Sequence, residues 1–179
     1  GMAHAVERII EAAEKLRTDQ EILFLVVGEG AHKKKAEEMA IRKGLSNIRV
    51  LPGVSKEQVR DCYAVTDLNL VTLRNTPLFR TVIPSKIFEI MGMGRPILCA
   101  VDGECREIVE EAGCGVFVEP ENVEQMVETI LNLKQKRDVL QTMGRNGRSF
   151  VERFYNRDVL AEKYLGLLKE VVAESRVRW

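Results

Sequence analysis

The sequence predicts an α/β protein, a parallel sheet with helices on both faces, and three observations predict it. Short apolar runs alternate with helical spacings along the chain. Glycine or proline punctuates the passage out of most of those runs. No repeat, low-complexity tract or linker divides the 179 residues, so a single domain with a sizeable core is expected.

Each element follows in order. Val6, Ile9, Ile10, Ala13 and Leu16 recur at helical spacing and predict a helix over Ala3–Leu16. Glu21–Val27 is a continuous apolar run with β-branched residues, which predicts a strand buried on both faces. Gly28-Glu29-Gly30 turns the chain into a helix that runs to about Lys43. Ile48–Leu51 is a short strand stopped by Pro52-Gly53. Ser55 with Gln58 three residues on is a capping box for a helix to about Ala64. Asp67–Leu73 is a third strand, Pro96–Val101 a fourth and Val116–Val118 a fifth. Between the third and fourth, Pro84 opens a short helix; the others are Cys105–Ala112, Val123–Lys134, Val139–Arg153 and Arg157–Ala173. Right-handed crossovers then wrap the sheet on both sides.

Composition excludes several functions. Lys+Arg and Asp+Glu number 27 each, so no global field recruits nucleic acid or an anionic bilayer. No apolar run approaches the roughly 18 residues that cross a membrane, and no signal peptide is visible. Gly1-Met2 reads as a tag remnant ahead of an initiator Met. Cys62, Cys99, Cys105 and Cys114 contain no CxxC pair and read as reduced thiols of a cytosolic protein, without a metal site.

Ligands of such folds sit beyond the carboxyl ends of the strands. The loops there are Gly28–Gly30, Pro52–Ser55, Leu73–Pro84 and Val101–Glu104. Gly28 and Gly30 permit close backbone approach to a ligand, or form a plain strand-to-helix turn; Lys33 stands where a full GxGxxG has its last glycine. Lys33-Lys34-Lys35 reads as a solvated helix face, against a phosphate-binding role. Gly53 and Val54 lie in a turn against which a base can rest, although the turn alone is ordinary. Arg74 and Arg80, in the long loop before Pro84, are either phosphate clamps or surface charges.

The helix that Pro84 opens carries the sharpest signal. Its first-turn N–H groups and positive dipole end suit a diphosphate. At 100° per residue Ser85, Glu89 and Gly92 share one face, with Lys86 at its margin and Ile87, Ile90 and Met91 opposite. Glu89 reads as an acceptor for a ligand hydroxyl, against a solvated or structural carboxylate. His4 and His32 have no acid or nucleophile pattern beside them, and no triad, metal cluster or carboxylate pair is visible. The chain therefore offers a binding site without an evident chemical base.

Val26–Gly30, Asn47–Gly53, Ala64–Leu68 and Pro84–Ile97 together resemble the donor half of retaining glycosyltransferases of family four, enzymes of the GT-B type with two Rossmann-like domains across a cleft. Gly103-Glu104, Gly113–Gly115 and Glu119-Pro120 continue the likeness, and Thr81–Glu89 resembles bacterial members that transfer amino sugars in surface-polysaccharide assembly. The resemblance implies a nucleotide-diphosphate sugar as substrate, UDP-linked by preference, with no cofactor and no metal. It implies that Glu89 holds the ribose, as the second Glu of an E-x7-E motif whose first Glu is replaced by Thr81. It further implies that Thr81, Val82 and Ile83 lie along the diphosphate and sugar, and Pro52–Val54 beside the base. An acceptor domain ahead of Ala3, carrying the diphosphate-binding Arg and Lys, is expected to be absent, so the chain alone is expected to bind donor weakly and turn nothing over. The whole enzyme is expected in the cytoplasm, at the inner membrane face where its acceptor is lipid-linked. Val159, Leu160, Tyr164, Leu167, Leu168 and Val171 of the last helix are expected to lie partly exposed without that domain. The rival readings are a sugar-nucleotide epimerase half and a non-catalytic nucleotide-binding module.

Overall fold

The computed structural model describes residues 4–30 and 32–177. Gly1-Met2 and the expected helix start at Ala3 lie outside them. The helices are α1 (Val6–Lys15), α2 (Lys33–Arg42), α3 (Lys56–Val65), α4 (Lys86–Gly92), α5 (Glu104–Glu111), α6 (Val123–Lys134), α7 (Arg137–Phe154) and α8 (Arg157–Val177). The strands are β1 (Phe24–Val27), β2 (Ile48–Leu51), β3 (Asn69–Thr72), β4 (Ile97–Ala100) and β5 (Gly115–Phe117). Every predicted element is present, and all the pairings are parallel.

The strands are nevertheless shared between two sheets, one ordered β1-β2 and the other β3-β4-β5. In the second, β4 is buried along its whole length and shows how period two builds two cores. Leu98 and Ala100 join Ile10, Phe24, Ile48, Val118 and Met126 on the side of α1 and α6. Ile97 and Cys99 join Val71, Ile87, Ile90, Met91 and Val109 on the side of α4 and α5. Each fully buried side chain of this size is worth about 1.5–3 kcal/mol, and the helices on both faces follow from that double burial.

The first strand departs from expectation. It is not buried on both faces: Leu23 is 56% exposed and Leu25 38%. The physical reason is that β1 pairs with β2 alone, so one of its edges borders an open cleft. Local chemistry predicted α3 well. Ser55 accepts from the Gln58 amide and Gln58 returns the bond, a complete capping box.

Two features of the segment before β4 differ as well. Pro77–Thr81 forms a 3-10 turn inside the loop expected to be irregular. Pro84 stands before the Ser85 cap instead of opening α4, and its carbonyl accepts from Ile87 N at 3.0 Å to close the first turn. Behind α4, α7 comes close enough that a Cβ on Gly144 would collide with the carbonyl of Gly94, and one on Gly147 would stand 2.9 Å from Cys114 Cβ. Glycine at these two positions sets the helix separation.

Candidate functional site

Because the strands are parallel within each sheet, the carboxyl ends of each sheet lie together, and side-chain bonds tie the loops beyond them to one another. After β1, Gly28 and Gly30 both take φ of 151°, the extended-to-left-handed margin that glycine tolerates best. Glu29 between them reaches over the next loop: its Oε1 accepts from the Gly53 amide at 2.9 Å and from Lys33 Nζ at 3.0 Å. Those bonds, the amide first, hold its carboxyl below the ordinary carboxylate value. Gly28–Gly30 and Gly53-Val54 thus form one joined surface, with Gly53 exposed and Val54 half-buried.

Glu7, in the first turn of α1, links that surface to the loop after β3. It meets His32 Nδ1 at 3.1 Å, Lys35 Nζ at 3.4 Å and Arg74 Nη2 at 3.9 Å. Lys35 and Lys33 are therefore paired while Lys34 is solvated, so the lysine run is a solvated face only in part. Glu121, beyond β5, accepts from the Asn75 amide at 2.9 Å and approaches Arg8 at 3.7 Å, which ties the loop after β3 to α1.

Arg80 does not face the start of α4. Its Nε lies 3.5 Å from Asp102 Oδ2, and Arg106 holds the other oxygen of Asp102 at 3.6 Å. Gly103, at φ 80°, lets the β4–α5 turn pass against the Arg80 carbonyl, where a Cβ would collide. Thr81 spends its hydroxyl on the Leu78 carbonyl at 3.1 Å, and the Val82 amide donates to Phe79 at 3.4 Å. The side chains of Val82 and Ile83 pack on the second core. This segment is braced as a shelf leading into α4.

On α4, Ile87, Ile90 and Met91 are buried and Ser85 and Glu89 exposed, as their spacing predicted. Ser85 makes no side-chain cap. Glu89 Oε2 accepts from the Tyr63 hydroxyl of α3 at 3.3 Å. The Tyr63 phenol is pushed up to about 12, by burial first and the Glu89 charge second. Lys86 turns inward and lines the cleft between the sheets with His4, Asn69 and Thr72; burial draws its ammonium below the ordinary value. His4, also lowered by burial and by Lys86, donates from Nδ1 to the Thr72 carbonyl at 3.2 Å.

Gly28, Gly30, Gly53 and Val54 thus share one joined surface, and Thr81, Val82, Ile83, Ser85 and Glu89 lie along the shelf and α4. It directs Arg80 to Asp102 and Lys86 to the cleft. Glu29 and Tyr63 are the members that sequence reasoning missed. Glu29 had a signal, an acid between two glycines of a ligand-side turn; Tyr63 had none, because its partner lies 26 residues away. Among the described residues no group of three or more His, Cys, Asp or Glu is placed to hold a metal ion. Cys99 and Cys105 are free thiols with sulfurs 3.7 Å apart. Among the described residues no helix is long and apolar enough to cross a membrane.

Comparison with known proteins bears on the family and the fold. The family described as "Glycosyl transferases group 1" matches residues 3–150. WcaI of Escherichia coli K12, named for glycosyl transfer in colanic acid biosynthesis, is 32% identical over 133 residues, covering 73% of this chain and 32% of WcaI. The chain spans between 32% and 44% of the length of the curated relatives it matches. Among solved structures, Anabaena HepE in complex with UDP and glucose superposes with a TM-score of 0.78 at 18% identity, over 94% of this chain and 45% of that one. The C-terminal domain of a group 1 family protein of Francisella tularensis, LpcC, gives 0.71 at 20% identity, over 87% of this chain and 81% of that one. At such identities the structures speak for the fold.

Proposed function

Since this chain belongs to the glycosyl transferases of group 1, we propose that it is the donor-binding half of an enzyme that moves a sugar from a nucleotide diphosphate, UDP by preference, to a glycan or lipid-linked acceptor with retained configuration. The observations that support the reading are the Glu29 bond that joins the turns after β1 and β2, and the Thr81–Ile83 shelf leading into α4, whose exposed Glu89 meets Tyr63 of α3. UDP in the superposable HepE structure supports it.

In this reading the base rests on the Gly53–Val54 turn and exchanges its own acceptor for Glu29 at the Gly53 amide. The diphosphate lies along the Thr81–Ile83 shelf towards Ser85, where backbone dipoles offset charge building on the departing phosphate. Glu89 accepts from the ribose hydroxyls, sharing its carboxylate with Tyr63. Arg80 serves indirectly by holding the shelf against Asp102. A second domain of the longer enzyme supplies the acceptor and the cations nearest the diphosphate, so turnover belongs to the whole enzyme. No step in this scheme is assigned to a metal.

Calorimetric titration of the chain with UDP, GDP and UDP-sugars tests the reading. UDP is expected to bind, and Glu89→Gln to weaken it about tenfold, the worth of a charge-assisted hydrogen bond. Absence of binding by every nucleotide, or an unchanged affinity in Glu89→Gln, overturns the assignment.

A further inference from the structure

Cys99 lies in β4 and Cys105 in the first turn of α5, and both are fully buried free thiols. Their sulfurs stand 3.7 Å apart. Both side chains belong to the second core, on which Phe79, Val82 and Ile83 of the shelf also pack. Between them in the chain lies the turn that braces that shelf. There Asp102 meets Arg80 at 3.5 Å, and Gly103 sits directly against the Arg80 carbonyl.

Three observations distinguish this pair from ordinary core cysteines. First, the bonds run one way: Cys99 gives its S–H to the Val101 carbonyl at 3.4 Å, so Cys105 is the donor to Cys99. That bond draws the Cys99 thiol below its ordinary value and pushes Cys105 above it. Cys99 therefore loses its proton first and is the nucleophile of the pair. Second, Gly103 gives α5 no side-chain cap, so the turn carrying Cys105 is the end of the helix that opens most readily. Such opening admits a small oxidant to sulfurs that the closed core shields. Third, the other thiols are engaged elsewhere. Cys114 directs its thiol to the Val109 carbonyl at 3.6 Å, and Cys62 lies half-buried on α3.

We propose that Cys99 and Cys105 form an oxidative modification site, closed to a disulfide by hydrogen peroxide and reopened by thiol exchange, which loosens the shelf before α4. The Cys99 thiolate attacks one peroxide oxygen: an S–O bond forms, the O–O bond breaks, and the departing hydroxide takes a proton to leave as water. The Cys105 sulfur then attacks Cys99: an S–S bond forms, the S–O bond breaks, and hydroxide leaves with the Cys105 proton as a second water. Two thiols lose two electrons, and one peroxide is reduced to two waters. An S–S bond is about 2.05 Å long, so the sulfurs close by about 1.7 Å. β4 is clamped between β3 and β5, so the first turn of α5 makes the movement. Asp102 and Gly103 ride with it, and their close fit on Arg80 is lost. The site itself needs nothing from the nucleotide reading; only its effect on UDP affinity rests on that reading.

The test treats the folded chain with hydrogen peroxide, blocks the remaining thiols with maleimide and maps the product. Two of the 4 thiols are expected to disappear and to return with dithiothreitol. Proteolysis ahead of Asp102 puts the two cysteines in separate pieces, which only their disulfide keeps together. In the oxidised chain the Phe79 and Val82 amides are expected to exchange about tenfold faster, while Val59, bonded within the capped turn of α3, is unchanged. Cys99→Ala and Cys105→Ala each abolish the disulfide and the faster exchange; Cys62→Ala and Cys114→Ala abolish neither. UDP affinity is expected to fall about fivefold on oxidation, the lower end of coupling between linked sites. A disulfide that forms only in denaturant, one that joins Cys105 to Cys114, or oxidation confined to Cys62 overturns the proposal. So does a mapped Cys99–Cys105 disulfide that leaves Val82 exchange unchanged. If the reduced chain binds no UDP, the nucleotide reading falls, while the disulfide map and the exchange still decide this one.

Discussion

The Gly53 amide donates to Glu29 Oε1 at 2.9 Å, so two ligand-side turns, one after β1 and one after β2, are latched by a single carboxylate. The bond depresses the Glu29 carboxyl, and a group whose folded value is depressed contributes its stabilisation above the unfolded value and loses it as pH falls through the folded one. The Gly53 amide resonance is therefore expected to be constant at neutral pH and to titrate below the ordinary carboxylate range. Glu29→Gln removes that titration; a Gly53 resonance that shifts identically in the variant contradicts the latch.

Tyr63 and Glu89 make the complementary case at the alkaline end. The phenol is raised to about 12, so its stabilising contact is complete below the unfolded value and fades as pH climbs through the folded one. Spectrophotometric titration should show one of the 3 tyrosines ionising last. Tyr63→Phe should remove that late transition. It should also spare UDP affinity relative to Glu89→Gln, because the carboxylate remains available to a ligand.

Two glycines in helices are expected to respond with opposite sign to the same substitution. At Gly144 of α7 a Cβ runs into the Gly94 carbonyl, which is backbone and cannot move aside. Gly144→Ala should cost about 1–3 kcal/mol, as overpacking does. At Gly166 of α8 a Cβ meets nothing within 4 Å, so Gly166→Ala should add about 0.5–1 kcal/mol through helix entropy. Urea melts of both variants measure the contrast, and equal midpoints would remove the packing argument for α7.

The last helix exposes apolar residues, as the family resemblance implied: Tyr164 is 65% exposed, Leu167 60% and Val171 63%. They contribute little to this chain's stability. Leu167→Glu with Val171→Glu is therefore expected to leave the midpoint of unfolding within about 0.5 kcal/mol, while reducing self-association at high concentration in sedimentation. A large loss of stability would place these side chains in the core instead.

Periodicity and local chemistry by themselves determined the α/β class, the order of the elements, the Ser55–Gln58 cap, the buried Ile87, Ile90 and Met91 and the exposed Glu89. Each of those depends on residues within one or two turns of one another, and short-range sterics and burial are written in such spacings. Only the tertiary structure decided that the strands divide into two sheets, that Arg80 serves Asp102, that Lys86 turns into the cleft and that Tyr63 meets Glu89. These are contacts between segments distant in the chain, chosen by which backbone edges find partners and which charges find each other once the layers are packed. A pattern of apolar residues specifies that a surface is covered; it does not specify by whom.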